Sequence, residues 1–203
     1  MKYEDALLKI LEAYKKGDIE YNTRLLSLGF LSVLEFEPMD YETMSDVLQR
    51  EELGIRSVVR NYLKRGLVTV TDLRPSAAGG RRCNRYALTS TGQRSLDCLP
   101  RHQKSGSRTV RAEIYQELRF DHPERTFSSI VLLAAIELSD GATSSLVRLM
   151  DINHPALMQQ VTRAIEAGLL EISGYETSED GGKQRVVAPT SFGKRLMYIF
   201  MQL

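Results

Sequence analysis

The order of apolar and polar positions predicts four helices before the first strand. They span residues 3–16, 25–36, 42–48 and about 53–65. In the first and the last two, apolar side chains recur three and four residues apart, the spacing of one helix face. Residues 25–36 are almost continuously apolar, so this helix is expected to be buried and to end before Pro38.

A strand–turn–strand pattern follows the fourth helix. Gly66 stands where a left-handed residue commonly ends a helix. The predicted hairpin consists of residues 67–73, a Pro- and Gly-rich turn at 75–80, and residues 83–88. Thr89 or Ser90 is expected to cap a further helix over residues 89–99.

The same pattern recurs in the second half of the chain. Residues 100–108 are polar with Pro and Gly, so they are predicted to link a domain at 1–99 to a domain at 109–203. At a shift of 102 residues, Leu28, Leu31, Leu34 and Phe36 fall on Ile130, Leu133, Ile136 and Leu138; Met44, Val47 and Leu48 on Leu146, Leu149 and Met150; and Ile55, Val59 and Leu63 on Leu157, Val161 and Ile165. At a shift of 101, ALTSTGQRSL (87–96) matches APTSFGKRLM (188–197). This ordered set predicts two copies of one fold.

Composition places the chain among soluble globular proteins. Of its 203 residues, 42% are hydrophobic and 26% are charged, which is enough to bury a core. No apolar run approaches the roughly 18 residues of a membrane span. The N-terminus lacks a secretion-signal cleavage site and is not expected to be a signal peptide, and the two cysteines without CxxC spacing favour a reducing cytoplasm. Cys83 and Cys98 lack CxxC spacing and the three histidines are scattered, so no disulfide, metal or cofactor is expected.

Positive charge is concentrated in one segment. The whole chain has a net charge of +1, whereas residues 50–94 hold ten Lys or Arg and three acidic residues, a local charge of +7. The corresponding segment of the second half, 152–195, has five basic and five acidic residues. A basic face on a near-neutral chain is typical of a protein that binds nucleic acid on one side.

The basic segment contains two groups of candidate binding residues. The face of helix 53–65 turned away from the core carries Arg56, Ser57, Arg60, Asn61 and Lys64. The hairpin carries Arg81, Arg82 and Arg85, and Leu88-Thr89-Ser90-Thr91-Gly92 follows it. This order resembles the recognition helix and wing of winged helix-turn-helix proteins, and its terminal motif resembles that of MarR-like and PadR-like regulators. Arg82 occupies the position of the MarR-like wing arginine, with Gly80 in place of an Asp, and MarR-like proteins have one copy per subunit.

The resemblance implies a fold that is mainly α with small β-hairpins (α+β), built as two winged helix-turn-helix domains in tandem. Helix 53–65 would enter the major groove of double-stranded DNA, and wing 74–86 would reach the minor groove. The expected contacts are bases for Arg56, Arg60 and Asn61, phosphates for Ser57, Lys64 and Arg94, and the minor groove for Arg81, Arg82 and Arg85. The alternative interpretation is an ordinary solvated, charged helix face.

The second copy presents a different surface. Its equivalent helix is expected to expose Met158, Gln159, Thr162, Arg163 and Glu166, and its wing carries Glu179 and Asp180. Acidic side chains at a wing tip would repel phosphate. We therefore expect the first domain to be the main DNA reader, and the second to bind DNA weakly, to bind another protein or to mediate dimerisation. A second DNA site would comprise Gln159, Thr162, Arg163, Lys183 and Arg185, with Gln160 and Asn153 as further base contacts, and the chain would then read two half-sites as an internal pseudo-dimer.

Two further features have open interpretations. The terminal helices carry apolar stripes that either pack on the core of the chain or form a homodimer. The stripe residues are Tyr3, Leu7, Tyr14, Phe192, Leu196, Ile199, Phe200 and Leu203. Cys83 lies among arginines, a setting that suits a redox switch, although an ordinary strand residue is the simpler interpretation.

The favoured hypothesis is a cytoplasmic, nucleoid-associated DNA-binding protein that regulates transcription. One alternative is a subunit similar to tandem winged-helix proteins of the kite type, which bind kleisin-like partners in chromosome-organising complexes. Such subunits tend to be acidic, so the basic first copy argues against it and the neutral second copy is compatible with it. Another alternative is a plasmid or phage replication or partition protein. No nucleophile–base pair, paired carboxylates or phosphate loop stands out, so an enzyme is not expected.

Overall fold

A computed structural model describes residues 3–20, 23–75, 82–97, 99, 107–121, 125–178 and 181–202. Its first half contains α1 (Tyr3–Lys16), α2 (Leu25–Leu34), α3 (Tyr41–Leu48), α4 (Glu52–Lys64), β1 (Val68–Pro75), β2 (Arg82–Leu88) and α5 (Ser90–Asp97). Its second half contains α6 (Arg108–Asp121), α7 (Phe127–Glu137), α8 (Thr143–Met150), α9 (His154–Glu166), β3 (Leu170–Thr177), β4 (Lys183–Pro189) and α10 (Ser191–Phe200). The expected mainly helical α+β architecture is confirmed, and the second half repeats the element order of the first.

In the described part of each half, two strands form an antiparallel sheet with an irregularity at an equivalent place. Strands β1 and β2 pair from Val68 with Leu88 to Pro75 with Arg82, and the register shifts between Val70 and Asp72. Strands β3 and β4 pair in the same way, with a shift between Ile172 and Gly174. A bulge bends a strand and increases its twist, so both hairpins curve at the same distance from their helix.

The predicted helices are found close to their expected ends. The helix predicted at 3–16 coincides with α1, whereas the one predicted at 25–36 ends two residues early, at Leu34. Gly66 ends α4 with φ of +66°, and Gly168 ends α9 with φ of +70°. Glycine adopts a left-handed conformation without a Cβ clash, which is why the sequence predicts that the helix ends at this residue.

The Leu-Thr-x-x-Gly motif joins the hairpin to the last helix of the first half. The Thr89 hydroxyl donates to the Gly66 carbonyl at 2.6 Å and accepts from the Gly92 amide at 3.1 Å. Thr190 makes the same two bonds, with the Gly168 carbonyl at 2.6 Å and the Gly193 amide at 3.1 Å. Each Thr therefore caps the last helix of its half and ties it to the end of the preceding helix.

The leading helix of each half packs on the central helix of the other half. Helix α1 lies against α7, and α6 lies against α2 and α3. At Gly29 in α2, a Cβ would stand 3.2 Å from Leu118 Cδ1 and 3.6 Å from the Tyr115 Cα. The missing side chain thus allows α2 and α6 to approach closely, and the buried residues of both halves form one continuous cluster.

Hydrogen bonds connect α6 to the C-terminal end of α3. Arg119 Nη1 donates to the Gln49 carbonyl at 3.0 Å, and Gln116 Nε2 donates to the Leu48 carbonyl. Of the predicted linker 100–108, only 107 and 108 are described, and Arg108 already begins α6.

Most of the terminal apolar stripes are used inside the chain. Leu7, Leu196, Ile199 and Phe200 are buried, whereas Tyr3 is exposed. Leu203 lies outside the described residues. A homodimer through the terminal helices, which stays a prediction, would have to use side chains other than these buried ones.

The two halves meet in a pair of reciprocal backbone hydrogen bonds. The Leu25 amide donates to the Arg125 carbonyl at 2.9 Å, and the Phe127 amide donates to the Thr23 carbonyl at 2.8 Å. These residues correspond at the shift of 102, so a twofold rotation exchanges one bond for the other. The contact is isologous, which is the signature of a twofold axis, here inside a single chain.

The buried Tyr62 predicts a loss of stability at alkaline pH. Tyr62 is 3% exposed and its ring lies 5.4 Å from that of Phe30. Burial raises the pKa of Tyr62 to about 12 from an ordinary value of 10.0. Because the neutral phenol is favoured in the folded state, its contribution is complete below pH 10 and is lost as the pH rises towards 12, by about 2 to 3 kcal/mol. Urea unfolding of Tyr62→Phe across this range should show a weaker pH dependence than the unchanged protein, whereas the exposed Tyr175→Phe should show the same dependence.

Candidate functional site

Helix α4 separates an apolar face from a polar one as the sequence predicts. Ile55, Val59 and Tyr62 are buried in the core. The five polar candidates on the opposite face are all exposed. They are Arg56, Ser57, Arg60, Asn61 and Lys64. Arg56 and Arg60 are one helical turn apart, so their side chains project from one strip of the surface.

Arg56 is held in place by an acid and an aromatic ring. Its Nε donates to Glu52 Oε1 at 2.8 Å, and its Nη2 donates to the same oxygen. Its guanidinium carbon also lies 5.1 Å from the centre of the Tyr41 ring. The Glu52 hydrogen bond and charge raise the pKa of Arg56 further. Arg56 is therefore an oriented donor on an exposed surface rather than a freely rotating cation.

Tyr41 connects this arginine to the hairpin. The Tyr86 hydroxyl on β2 donates to the Tyr41 hydroxyl at 2.8 Å, and the two rings are 4.8 Å apart. Burial raises the pKa of Tyr41 to about 12, with the Tyr86 hydrogen bond adding to the effect and Arg56 and Arg60 opposing it. A continuous chain of contacts thus sets the position of the exposed face of α4 relative to the hairpin.

A polar groove lies between α4 and the beginning of α2. Its volume is about 300 Å³, and Arg24, Arg50, Ser57 and Asn61 contribute its polar walls. Phe30, Tyr62 and Tyr115 form its apolar floor, and Arg50 Nη1 donates to the Tyr115 hydroxyl at 3.0 Å. We call it the first groove. Sequence reasoning assigned no role to Arg24 or Arg50, because neither belongs to a periodic pattern or to a motif.

The arginines of the hairpin have different surroundings. Arg81 lies outside the described residues. The Arg82 backbone begins β2 opposite Pro75, at the far end of the described ladder. Arg85 is half-buried, and its Nη2 donates to the Pro38 carbonyl. Arg85 therefore braces the base of the hairpin against the loop before α3, and a contact with DNA stays a prediction for all three.

Arg94 is set apart from the exposed face of α4. It is exposed on α5 and lines a groove together with Lys9, Glu12 and Lys16 of α1. Its Nε donates to the Ser90 carbonyl at 3.4 Å. Its predicted phosphate contact is untested, and its neighbours include acidic as well as basic side chains.

The candidates of the second half are exposed and surround a second groove. Gln159, Thr162, Arg163, Lys183 and Arg185 are all exposed. Met158, which the sequence suggests is exposed, is half-buried. The second groove has a volume of about 250 Å³, and its polar walls include Arg125, Thr126, Ser129, Gln160 and Arg163. Glu179 and Asp180 lie outside the described residues.

One buried acceptor points to this second groove. Gln160 Oε1 is buried and has no hydrogen-bond partner among the described residues. Arg125 Nη2 donates to the Ala167 carbonyl at 3.1 Å and so satisfies the end of α9. Gln160, which the sequence suggests as a base contact, is half-buried in the groove wall rather than on the exposed strip of α9.

Other chemistry is not apparent in the described part of the chain. Cys83 is half-buried in β2 opposite Arg74, and Cys98 lies outside the described ranges. In those ranges, no three His, Cys, Asp or Glu side chains are grouped as metal ligands. None of the helices within them is long and apolar enough to cross a bilayer.

No protein-family model matches the sequence, and no curated protein is significantly similar to it. The function must therefore be inferred from the residues and their geometry.

Proposed function

We propose that this chain binds double-stranded DNA in a sequence-specific manner and regulates transcription. The order α2, α3, α4, β1, β2 is that of a winged helix-turn-helix, with α4 as the recognition helix and the hairpin as the wing. The observation that carries the proposal is the fixed guanidinium of Arg56, held by Glu52 and Tyr41 on an exposed helix face within a segment of charge +7.

The residue types on this face suit the edges of base pairs. Arg56 and Arg60 can each donate two hydrogen bonds to guanine, and Asn61 can exchange two with adenine. An arginine that is already oriented loses less side-chain entropy on binding than a mobile one. Ser57 and Lys64 flank these residues on the same exposed face and suit phosphate oxygens, which set the register without reading the sequence.

Selection from a pool of random duplexes tests the proposal. The intact protein is mixed with the pool at moderate salt, and the bound duplexes are sequenced. An enriched motif is the expected result, and affinity for it should fall steeply with salt because phosphate contacts release counterions. Recovery without a motif would contradict sequence-specific reading, and recovery of no DNA would overturn the proposal in favour of the protein-binding alternative.

Replacing Glu52 with glutamine is expected to raise affinity and lower discrimination. The change removes a negative charge beside the phosphates, so affinity for random duplex should increase by about 3-fold to 10-fold at low salt. It also loosens Arg56, because a neutral amide oxygen accepts more weakly than a carboxylate, so the preference for the selected site over random duplex should shrink by about 10-fold. Competition binding with both duplexes measures the two effects.

Glu42→Gln provides a matched control for this result. Glu42 is exposed in the first turn of α3 and the change removes the same charge. It should raise affinity slightly and leave discrimination unchanged. If Glu52→Gln also left discrimination unchanged, Glu52 would have no role in orienting Arg56 for recognition.

A further inference from the structure

The two grooves are related by the internal twofold axis. Most of their lining positions correspond at the shift of 102, for example Arg24 with Thr126, Ser27 with Ser129 and Asn61 with Arg163. Arg24 and Thr126 also pair directly with each other in an antiparallel bridge. The grooves are therefore adjacent, one on each side of the axis. A twofold rotation preserves direction along its axis, so the part of each opening that points along the axis points to the same side in both grooves.

Each groove contains two guanidinium groups, although they come from different positions. The first groove has Arg24 and Arg50, and the second has Arg125 and Arg163. The positions equivalent to Arg50 and Arg125 are Ile152 and Thr23, so the positive charge is present in both halves without the same residues supplying it. Paired guanidiniums with neighbouring hydroxyl and amide groups are suited to phosphate oxygens.

The exposed faces of the two reading helices differ much more than the grooves do. Arg56, Arg60 and Lys64 of α4 correspond to Met158, Thr162 and Glu166 of α9. Helix α9 therefore has no cation at these three positions, whereas the groove beside it contains two, Arg125 and Arg163. If the grooves hold the DNA backbone and the outer helix faces read bases, both halves can do the first and mainly the first half can do the second.

We infer that a single chain spans two half-sites of one duplex, with its internal axis on the local twofold axis of the DNA and each groove holding a backbone phosphate on its own side. This inference rests on the proposed function and specifies its geometry. A duplex backbone has a local twofold axis, which a protein with twofold symmetry matches. Helix α4 reads the bases of one half-site, while the second half of the protein mainly holds the phosphate backbone of the other half-site. The DNA site therefore has one half whose sequence is specified and one half, the permissive side, whose sequence can vary.

The stoichiometry and footprint of the chain on its selected duplex test this geometry. One chain per duplex is expected, with hydroxyl-radical protection on both sides of a centre and sequence enrichment mainly on one side. Arg125→Ala with Arg163→Ala should lower affinity about 10-fold or more at ~100 mM salt and reduce the slope of log affinity against log salt by about 1 to 2. The protection should disappear from the permissive side only, and the enriched motif should stay the same.

Two further variants separate binding from folding. Arg125 donates a hydrogen bond to the end of α9, so its loss could also affect folding. Arg163 is exposed on α9, and Arg163→Ala alone should leave the fold unchanged. This single variant should weaken binding about 3-fold and reduce protection on the permissive side. Lys15→Ala with Lys194→Ala removes two exposed charges away from both grooves and should preserve the footprint.

The outcomes distinguish this inference from the proposed function. Two chains per duplex, protection of one half only, or an unchanged footprint in both arginine variants would overturn the two-sided geometry while leaving DNA binding intact. Failure of the unchanged protein to bind any duplex would overturn the proposed function and this inference together.

Discussion

Replacing Arg56 and Arg60 together with alanine is expected to weaken binding to the selected duplex by at least about 30-fold, because each lost base contact costs about 1 to 3 kcal/mol. Both side chains are exposed on α4, so the fold should be retained. Affinity for random duplex should fall much less, since it depends on the remaining phosphate contacts. Fluorescence anisotropy with the two duplexes, at matched salt, measures the difference.

A charge-matched variant separates recognition from simple electrostatics. Lys15→Ala with Lys194→Ala also removes two exposed positive charges, but from α1 and α10. It should weaken binding to both duplexes by a similar small factor. If the Arg56 and Arg60 variant behaved in the same way, α4 would not be the reading helix.

Replacing Gly92 with alanine should produce the largest loss of stability among single substitutions in the hairpin–helix junction. A Cβ at this position would lie 2.2 Å from the Leu67 carbonyl oxygen, which is a backbone atom. That oxygen accepts a hydrogen bond from the Thr89 amide at 3.1 Å, so the clash can be relieved only if the start of β1 and α5 move apart. We expect a loss of about 3 kcal/mol or more in the free energy of unfolding, and a fall in Tm of roughly 10 °C for a chain of this size.

The second half offers a replicate of this substitution, and β3 offers a control. Gly193→Ala meets the Leu169 carbonyl oxygen at the same 2.2 Å and should destabilise the protein by a similar amount. A Cβ at Gly174 would have no atom within 4 Å, so Gly174→Ala should change stability by less than about 1 kcal/mol. Urea unfolding of the three variants checks both expectations. A mild effect at Gly92 would show that the junction can relax and that Gly at this position is not required by packing.

The equivalence of Gly92 and Gly193 gives the terminal motif a structural cause. In both halves Thr caps the last helix, and Gly permits that helix to lie against the carbonyl at the start of the hairpin. A motif that resembles one in DNA-binding regulators is thus explained here by packing alone. The proposal of DNA binding rests instead on exposed side chains such as Arg56, which packing does not require.

The sequence alone determined the local structure of each half. Helix bounds, the glycine stops at Gly66 and Gly168, the Thr caps and the hairpins all depend on residues within a few positions of one another. Propensity, periodicity and capping act over that range, and so a single sequence contains them. The exposed strip of α4 was predictable for the same reason, since a buried face at helical spacing determines which residues lie opposite.

Only the tertiary structure decided how the halves combine. The packing of α1 on α7 and of α6 on α2, and the reciprocal bonds of Leu25 and Phe127, join residues about 100 positions apart. An apolar stripe predicts that one face of a helix is buried. It does not predict which other helix covers that face, because hydrophobic burial is non-directional. The grouping of Arg24 with Arg50, and of Arg125 with Arg163, brings together residues from separate segments of one half, so it too appears only once the chain has folded.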